Sequence, residues 1–282
     1  MSDSFEYVPL ISVVLPTLNC KDNLVAALHS LITQSSQRFE VILSDGGSTD
    51  GTLDFARNLL THFNLSYCIV EKTGSSIYGA MNLGIGVAMG DWLYFMGSDD
   101  LLFGADVFER ISPSLCDHMN QVVYGDVWIQ SSHRLWGYGS YNSRALGRWN
   151  IPHQATFYRR QTIEHHGLKF DEQYPVEADW DFNLRLWKHV KFKYVDLVVA
   201  RYAGDGASAQ SSSFPLYEKL AERLLQIYGL SAFSFLPSYR LADACLSHPN
   251  PLFRWSFRTV RIYEALVRVL RKLISKLSIS SL

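Results

Sequence analysis

The stretch ISVVLPTLN, running from Ile11 to Asn19, decides the fold class of this 282-residue chain. Its first five residues are mostly apolar and β-branched, and the run ends at Pro16, as expected for a short strand buried on both faces. Apolar residues then recur at helical spacing, at Leu24, Leu28, Leu31 and Ile32. A buried strand followed at once by a helix predicts the beginning of a parallel α/β sheet.

The same alternation of strand and helix continues along the first part of the chain. Phe39 to Leu43, Leu65 to Val70 and Asp91 to Met96 are predicted strands, and Thr52 to Phe63 and Ser76 to Met89 are the helices between them. This order predicts a mostly parallel, open α/β sheet with helices on its faces. In such sheets ligands bind beyond the carboxyl ends of the strands, where the loops PTLN, SDGGSTDGT and GSDD begin.

The second half of the sequence is less regular. Gln121 to Ile129 and Phe192 to Tyr202 are predicted strands, and Arg134 to Tyr138 is expected to pair with the first of them. Helices are predicted to begin near Ala178 and to cover Phe214 to Tyr228.

Charge is unevenly distributed along the chain. The net charge of −1 argues against a nucleic-acid-binding surface, so no nucleic-acid partner is expected. From Pro251 to Leu282, however, there are seven basic residues and one acidic residue, Glu264. They alternate with apolar residues at helical intervals, which predicts a C-terminal basic amphipathic helical extension. Such a helix suits an anionic membrane surface, where each basic residue adds about 1 kcal/mol, although packing on the rest of the chain or on a partner subunit is an alternative.

Targeting signals and metal-binding spacings are missing from the sequence. The four cysteines lie far apart with no C-x-x-C spacing, which is typical of free thiols in a reducing cytoplasm rather than of a zinc site. The first residues have no signal-peptide pattern, and no run of about 18 uncharged apolar residues occurs. We therefore expect a cytoplasmic protein that associates peripherally with the inner face of the cytoplasmic membrane.

Two adjacent carboxylates interrupt the apolar run YFMGSDDLLF, which spans Tyr94 to Phe103. Burying an unpaired carboxylate is costly, and two neighbouring ones repel, so that one tends to take up a proton unless a cation is close. Asp99 and Asp100 are therefore either exposed in an ordinary turn or neutralised by a bound positive group.

The loop SDGGSTDGT carries two further acidic residues after the second strand. Asp50 is placed to cap the following helix. Asp45, at the tip of the strand, has no such local duty, so we expect its carboxylate to accept hydrogen bonds from a ligand, such as a base N–H or a ribose hydroxyl. The chain has neither a G-x-G-x-x-G nor a G-x-x-x-x-G-K-[ST] motif, so neither Rossmann dinucleotide binding nor a P-loop is supported.

Taken in order, the segments ISVVLPTLN, VILSDGGSTDGT and GDWLYFMGSDD resemble the family 2 glycosyltransferases of the GT-A fold. The resemblance continues through HQATF at 153–157 and VEADWDF at 176–182. It implies the following organisation: a GT-A domain over residues 1–230, with its nucleotide-binding half at about 8–103 and its acceptor half at about 104–230, and a helical extension over 231–282.

The acidic doublet corresponds in that family to the D-x-D motif, here Ser98-Asp99-Asp100. Carboxylate oxygens suit Mg²⁺ or Mn²⁺, which commonly bind substrate phosphates as well. The resemblance therefore implies that Asp100 is the metal ligand, and that Ser98 and Asp99 contact the ribose or sugar of a nucleoside-diphosphate sugar.

The resemblance also implies a set of residues around the donor: Pro16, Thr17, Leu18, Asn19, Asp45 and Gly46 at the nucleoside, and Tyr78 and Asn82 at the sugar. Leu18 stands where many relatives carry an aromatic residue, and Gly46 where many carry a second acid that pairs with uracil, so UDP specificity is not implied. Two alternatives remain open: Asn19 caps the next helix, and Tyr78 simply packs in the core.

Inverting transfer needs a base that takes a proton from the acceptor hydroxyl. The family's base, the Asp of an E-D motif, maps onto Asp179, with Glu177 as a lesser candidate because Ala178 replaces the usual preceding Glu. Asp181 is expected to pair with Arg185 instead.

His153 lies in a context that resembles a family motif near the diphosphate or the acceptor. The resulting prediction is a metal-assisted, inverting transfer of a sugar from a nucleoside diphosphate to a hydroxyl of a glycan or lipid-linked glycan of a surface polysaccharide. Two alternatives are a nucleotidyltransferase, for which only Lys21 offers a basic residue near the first strand, and a non-catalytic nucleotide-sugar-binding or scaffold protein.

Overall fold

The computed structural model describes residues 9–137, 139–204 and 213–235. Among these residues a larger compact unit comprises those up to 142 together with 149–217, and a smaller unit comprises 143–148 together with those from 218 onward. Residues 236–282, and with them the predicted basic amphipathic helix, lie outside the described part of the chain. No helix among the described residues is both long enough and apolar enough to cross a bilayer.

Nine strands in the described residues form one sheet: β1 (Ile11–Thr17), β2 (Phe39–Asp45), β3 (Tyr67–Glu71), β4 (Trp92–Phe95), β5 (Leu101–Leu102), β6 (Val122–Ile129), β7 (Arg134–Trp136), β8 (Thr156–Arg159) and β9 (Phe192–Tyr202). The strand order is β3-β2-β1-β4-β8-β6-β9-β5, and β7 pairs with β6 at one side of this path.

The helices, in chain order, are α1 (Lys21–Ile32), α2 (Thr52–His62), α3 (Ile77–Val87), α4 (Val107–Cys116), α5 (Ser143–Leu146), α6 (Arg160–His165), α7 (Ala178–Trp187), α8 (Pro215–Glu218) and α9 (Leu220–Tyr228). Short 3₁₀ segments lie at His153–Ala155, with 3 residues, and at Gly229–Ser234, with 6 residues. The single helix predicted over Phe214 to Tyr228 is therefore two helices, α8 and α9.

The predicted parallel half of the sheet is confirmed. Strands β3, β2, β1 and β4 lie side by side in this order and are parallel to one another. The central strand β1 is buried on both faces, because Val13 and Leu15 belong to one hydrophobic cluster and Val14 to the other. Its last residue, Thr17, lies in register with Asp45 at the end of β2, so that the loops after β1, β2 and β4 leave one edge of the sheet.

The second half of the sheet is mixed. β8 runs antiparallel between β4 and β6, whereas β6 and β9 are parallel. β7 pairs with β6, as predicted, and β5 adds an antiparallel edge beside β9. Because β8 reverses direction, the His153–Ala155 turn before it lies at the same edge as the carboxyl end of β4.

Helix α3 crosses the sheet at a position where a side chain would not fit. A Cβ atom at Gly84 would overlap Cγ1 of Val14 and would lie 3.1 Å from Oγ of Ser44. Gly86, in the same helix, has no neighbouring atom within 4 Å of an added Cβ among the described residues. The glycine at 84 therefore permits close packing of α3 on β1 and β2.

We expect Gly84→Ala to lower the free energy of unfolding by about 1–3 kcal/mol, because the added methyl group overpacks the contact with Val14. Gly86→Ala is the matched control and should raise that free energy by up to about 1 kcal/mol, since alanine is the better helix former. Urea midpoints at constant m-value measure both changes. Equal midpoints for the two variants would contradict the close packing of α3.

Candidate active site

A cavity of about 360 Å³ opens at the carboxyl edge of the sheet. Its walls come from the end of β1, the first turns of α3, the loop after β4, the turn before β8 and the segment before α7. The lining includes eight of the residues predicted to bind substrate or metal: Pro16, Thr17, Leu18, Tyr78, Ser98, Asp99, Asp100 and His153. Asn19, Asp45, Gly46, Asn82 and Asp179 are not among the described residues that line it.

Asp45 accepts hydrogen bonds within its own loop and from β1, a structural role that the sequence did not reveal. Its side chain is fully buried; Oδ1 accepts hydrogen bonds from the backbone N–H of Gly47 (2.8 Å) and Ser48 (2.6 Å), and Oδ2 accepts from Thr17 Oγ1 (2.8 Å) and Ser48 Oγ (2.6 Å). Burial acts to raise the pKa of Asp45, but these hydrogen bonds outweigh it and hold the pKa below its usual value. The expectation that Asp45 lacks a local role is therefore wrong, because it folds its own loop and ties that loop to β1.

Asn19 joins the loops after β1 and β2. Its backbone has φ = 47°, a left-handed conformation that asparagine tolerates. Its N–H donates to Ser48 Oγ, and its Oδ1 accepts from the N–H of Thr49, each at 2.8 Å. The alternative that Asn19 caps α1 is wrong, since Cys20 occupies the N-cap position without a side-chain capping bond. Asn19 thus ties the loop after β1 to the loop after β2.

Leu18 and Gly46 lie side by side at this edge. The Leu18 side chain is 55% exposed at the cavity, and a Cβ at Gly46 would be in ordinary contact with Leu18 Cδ1, at 3.5 Å. The two positions that depart from the family pattern are therefore neighbours in space, with Gly46 buried beneath the exposed Leu18 side chain.

Asp100 is a buried carboxylate with one unpaired oxygen. Oδ2 accepts a hydrogen bond from the N–H of Gly97 (3.0 Å), whereas Oδ1 is buried and has no hydrogen-bond partner among the described residues. Burial and then the charge of Asp99 raise the pKa of Asp100 to about 6, and the charge of His153, the N–H of Gly97 and the side chain of Gln154 offset this only in part. A bare carboxylate oxygen in a cavity is the chemistry that suits a hard divalent cation.

The described residues offer only part of a metal-ion ligand set. Among them, no three His, Cys, Asp or Glu side chains are arranged to hold a metal ion together. Gly97 allows the turn that brings the two acids to the strand tip, because a Cβ there would lie 2.8 Å from an oxygen of Asp99 and of Asp100. Asp100 therefore fits a cation that takes its other ligands from outside the described side chains.

Asp179 receives four hydrogen bonds. Oδ1 accepts from the hydroxyl of Tyr78 (3.1 Å) and from the N–H of Trp180 (2.9 Å), and Oδ2 accepts from Asn150 Nδ2 (2.8 Å) and lies 3.0 Å from His153 Nδ1. Asp179 lies in the first turn of α7, and Glu177 occupies the N-cap position. The structure therefore joins Tyr78, His153 and Asp179, which are far apart in the sequence.

Sequence reasoning missed Asn150 and the polar chain that supports it. Asn183 Nδ2 donates to Asn150 Oδ1 (2.9 Å), and Tyr158 donates to Asn183 Oδ1 (2.9 Å). Asn183 is fully buried one helical turn beyond Asp179, so the i, i+4 spacing in α7 was the one available signal. The chain fixes the orientation of Asn150 and, through it, of Asp179.

His153 connects the Asp179 cluster to the cavity. Its side chain is 16% exposed and lines the cavity, while Nδ1 faces Asp179. Burial acts to lower the pKa of His153, but the hydrogen bond to Asp179 and the charges of Asp179, Asp100 and Asp99 outweigh it and raise the pKa above its usual value.

Glu177 and Asp181 serve elsewhere. The Glu177 carboxylate accepts from the backbone N–H of Leu216 (2.7 Å) and Tyr217 (3.2 Å), so it holds the start of α8 and does not line the cavity. Asp181 pairs with Arg185 at 2.7 Å, as predicted.

The segment between Phe170 and α7 forms one wall of the cavity through Pro175 and Val176. The amide of Asn82 is bound to both backbone groups of Phe170, at 2.9 and 2.8 Å, and so anchors this wall rather than lining the pocket. Ser76 Oγ donates to Glu172 at 2.6 Å and ties the middle of the segment to α3.

Comparison with known proteins identifies relatives of this sequence. The model of the family described as Glycosyl transferase family 2 matches residues 12–173. A PGL/p-HBAD biosynthesis glycosyltransferase of Mycobacterium tuberculosis is 40% identical over 197 residues, covering 69% of this chain and 77% of the relative. The glycosyltransferase EpsJ of Bacillus subtilis, itself uncharacterized, is 24% identical and covers 86% of this chain and 74% of the relative.

Solved structures share the fold. Residues 1–349 of TarS from S. aureus in complex with UDP-GlcNAc superpose with a TM-score of 0.63 at 17% identity, covering 83% of this chain and 71% of that one. The mannosyltransferase PcManGT from Pyrobaculum calidifontis, in complex with GDP-Man and Mn²⁺, has a TM-score of 0.57 at 17% identity, covering 94% of this chain and 81% of that one. These likenesses confirm the predicted GT-A-like sheet.

The raised pKa of Asp100 makes stability depend on pH in metal-free buffer. An acid whose pKa rises from 3.8 to about 6 on folding stabilises the fold below pH 3.8, and this contribution is lost as the pH rises through 6. At about 1.4 kcal/mol per pKa unit, Asp100→Asn should gain up to about 3 kcal/mol over the unmodified protein above pH 6 and little near pH 4.

Urea midpoints measured from pH 4 to pH 8 in the presence of EDTA test this prediction. Asp54→Asn, at an exposed residue that pairs with Arg57 on the surface of α2, is the control and should stay within about 0.5 kcal/mol of the unmodified protein throughout. A stability difference for Asp100→Asn that is the same at every pH would contradict the burial of an unpaired carboxylate.

Proposed function

The chain belongs to glycosyl transferase family 2, and from that premise we propose that it transfers a sugar from a nucleoside diphosphate to a hydroxyl acceptor with inversion at the anomeric carbon. Because the chain belongs to this family, we take it as a glycosyltransferase and set aside the alternatives of a nucleotidyltransferase and of a non-catalytic scaffold protein. The observation that carries the proposal is the bare Oδ1 of Asp100, buried at the tip of β4 in a cavity beside Asp99.

A divalent cation, Mg²⁺ or Mn²⁺, fits this oxygen. Asp100 would hold the ion, with Asp99 close by to orient the ribose or sugar; Ser98 lines the same wall. When bound, such an ion supplies positive charge that neutralises the acidic doublet and stabilises a leaving diphosphate. The Mn²⁺ complex of PcManGT, a protein of the same fold, supports this choice of ion.

The nucleoside is proposed to bind where β1 and β2 end. Pro16, Thr17 and Leu18 line the cavity there, and Leu18 offers an apolar face to a base. Asp45, Asn19 and Gly46 act by shaping the loops that carry these residues. Because Gly46 stands where many relatives carry a second acid, UDP specificity is not implied, so the donor is proposed only as a nucleoside-diphosphate sugar.

The acceptor hydroxyl is proposed to lose its proton to the Asp179–His153 pair, of which the sequence favoured Asp179. Support comes from the cluster's geometry, since His153 and Tyr78 both line the cavity and both contact Asp179. General-base assistance of this kind contributes about 10²–10⁴-fold to rate.

The acceptor is proposed to be a glycan or a lipid-linked glycan of the cell surface. The mycobacterial relative is named for PGL/p-HBAD biosynthesis, and the resemblance of the sequence to family 2 glycosyltransferases supports this acceptor class. The basic sequence at 251–282 supports peripheral attachment to an anionic membrane from the cytoplasmic side.

Metal-dependent donor binding is the first test. In a thermal-shift panel of UDP, GDP, UDP-GlcNAc and GDP-Man, with Mn²⁺ or EDTA, we expect at least one nucleotide to raise Tm strongly with Mn²⁺ and weakly without it. A ligand at 100 times its Kd stabilises by about 2.7 kcal/mol. Asp100→Asn should remove the Mn²⁺-dependent part, and the exposed control Asp106→Asn should keep it. Shifts that are the same in EDTA and Mn²⁺ would refute the metal site.

Loss of the base is the second test. Asp179→Asn should lower the rate of donor hydrolysis by about 10²–10⁴-fold while leaving the nucleotide-dependent thermal shift unchanged, because its side chain serves the proton and not the donor. The exposed Asp196→Asn on β9 is the control and should keep the full rate. A variant at 179 that loses donor binding but turns over bound donor normally would argue against the proposed role.

A further inference from the structure

We propose that the hydroxyl group of Ser75 binds a ribose hydroxyl of the donor nucleotide. The assignment rests on the proposed transfer from a nucleoside-diphosphate sugar, and it adds a donor contact that the sequence did not indicate. Ser75 lines the cavity and directly precedes Ser76, the N-cap residue of α3. Three features of the structure lead to the assignment.

The first feature is that the hydroxyl of Ser75 is unused. Its Oγ atom is buried and has no hydrogen-bond partner among the described residues. The next residue, Ser76, contrasts with it, because Ser76 Oγ accepts from the N–H of Gly79 (2.9 Å) and donates to Glu172 (2.6 Å). A buried hydroxyl without a partner costs stability, and in a residue that lines a cavity it indicates a ligand.

The hydroxyl of Ser75 can reach a ligand by a change of rotamer. The residue as a whole is only half-buried and lines the cavity, although the Oγ atom itself is buried. A serine side chain has three staggered positions about χ1, and no hydrogen bond among the described residues holds this one where it lies. Rotation about a single bond therefore turns the hydroxyl towards the cavity.

The second feature is the anchoring of the loop that carries Ser75. The N–H of Lys72 donates to the carbonyl of Asp45 at 2.9 Å, and the N–H of Gly74 donates to the carbonyl of Gly46 at 3.0 Å. The N–H of Ser75 itself donates to the carbonyl of Lys72 at 3.1 Å. The loop is thus fixed to the end of β2, where the nucleoside is proposed to bind. A ligand has to order only the side chain of Ser75, which costs little entropy.

The third feature is the position of Ser75 between the two ends of the proposed donor site. Its carbonyl oxygen would lie 3.5 Å from a Cβ atom at Gly46, which is beside Leu18 at the nucleoside end. Its Oγ would lie 3.0 Å from a Cβ atom at Gly79, which follows Tyr78 at the proposed sugar end. A nucleoside-diphosphate sugar carries its ribose and its diphosphate between the base and the sugar. Ser75 is therefore placed to contact one of these two groups.

The charge beside Ser75 favours the ribose over the diphosphate. Glu172 Oε2 would lie 2.6 Å from the same Cβ position at Gly79, so a carboxylate is close to the Ser75 hydroxyl. This carboxylate would repel a phosphate oxygen bound at Ser75, whereas a ribose hydroxyl is uncharged. The diphosphate finds its positive partner elsewhere, at the cation proposed for Asp100. We therefore assign the Ser75 hydroxyl to the ribose.

Nucleotides with a modified ribose test the contact. Titration calorimetry with Mn²⁺ compares UDP and GDP with their 2′-deoxy and 3′-deoxy analogues. Ser75→Ala should weaken the binding of the ribonucleotides by about 3–10-fold, the usual effect of losing one uncharged hydrogen bond. The analogue that lacks the contacted hydroxyl should bind the unmodified chain more weakly by a similar factor, and Ser75→Ala should not weaken it further.

Ser44→Ala is the matched control. Ser44 Oγ is also buried without a hydrogen-bond partner among the described residues, but Ser44 lies in the core beneath Gly84 and is not one of the described residues that line the cavity. Its loss should leave every nucleotide affinity unchanged. Neither variant should lower the urea midpoint, since each removes a buried hydroxyl that has no partner. A clear fall in the midpoint for Ser75→Ala would reveal a structural role and overturn the assignment.

The outcomes separate this assignment from the proposed function. If Ser75→Ala weakens the ribonucleotides and both deoxy analogues by the same factor, the contact is not to the ribose and the assignment is overturned. If Ser75→Ala has no effect although the unmodified chain binds a nucleotide, the assignment alone fails. If the unmodified chain binds none of these nucleotides with Mn²⁺, the proposed function fails and the assignment fails with it.

Discussion

The parallel pairing of β1 with both β2 and β4 is the constraint on which the rest of the site depends. It brings the ends of three strands to one edge, so that the loops carrying Leu18, Asp45 and Asp100 lie together. The buried hydrogen bond from Thr17 to Asp45 holds two of these ends together, in the register in which β1 and β2 pair. The cavity thus lies at the ends of buried strands, and its walls combine loops with the end of β1 and the first turns of α3.

Most of the fold followed from hydrophobic periodicity. Buried strands such as ISVVL and FEVIL read clearly because both of their faces are apolar, and the helices between them show helical spacing. Hydrogen bonds within loops leave no such trace. The carboxylate of Asp45 was expected to face a ligand, yet it accepts hydrogen bonds from the backbone of the loop that follows it. The residue types in SDGGSTDGT do not indicate which donors will surround this carboxylate. Asn19 likewise bridges two loops that are adjacent only after folding.

The site itself was predictable where a motif marks a strand end and unpredictable where it depends on distant contacts. Asp100 could be placed because an apolar strand delivers it. The hydrogen-bonded cluster that Asp179 forms with Tyr78, Asn150 and His153 could not be predicted from the sequence. It requires α7 to pack against α3 and against the turn before β8. The two clusters contrast in their electrostatics: Asp179 is fully satisfied, whereas Asp100 retains a bare oxygen, which costs stability and is tolerated at sites of function.

The wall formed by Pro175 and Val176 is pinned twice, by Asn82 at Phe170 and by Ser76 at Glu172. A wall pinned in this way keeps its shape whether or not a ligand is present, so a ligand pays little ordering entropy when it settles against that side. For any ligand group that contacts this face, discrimination would then be steric, because a group too bulky for the face would find no rearrangement to admit it.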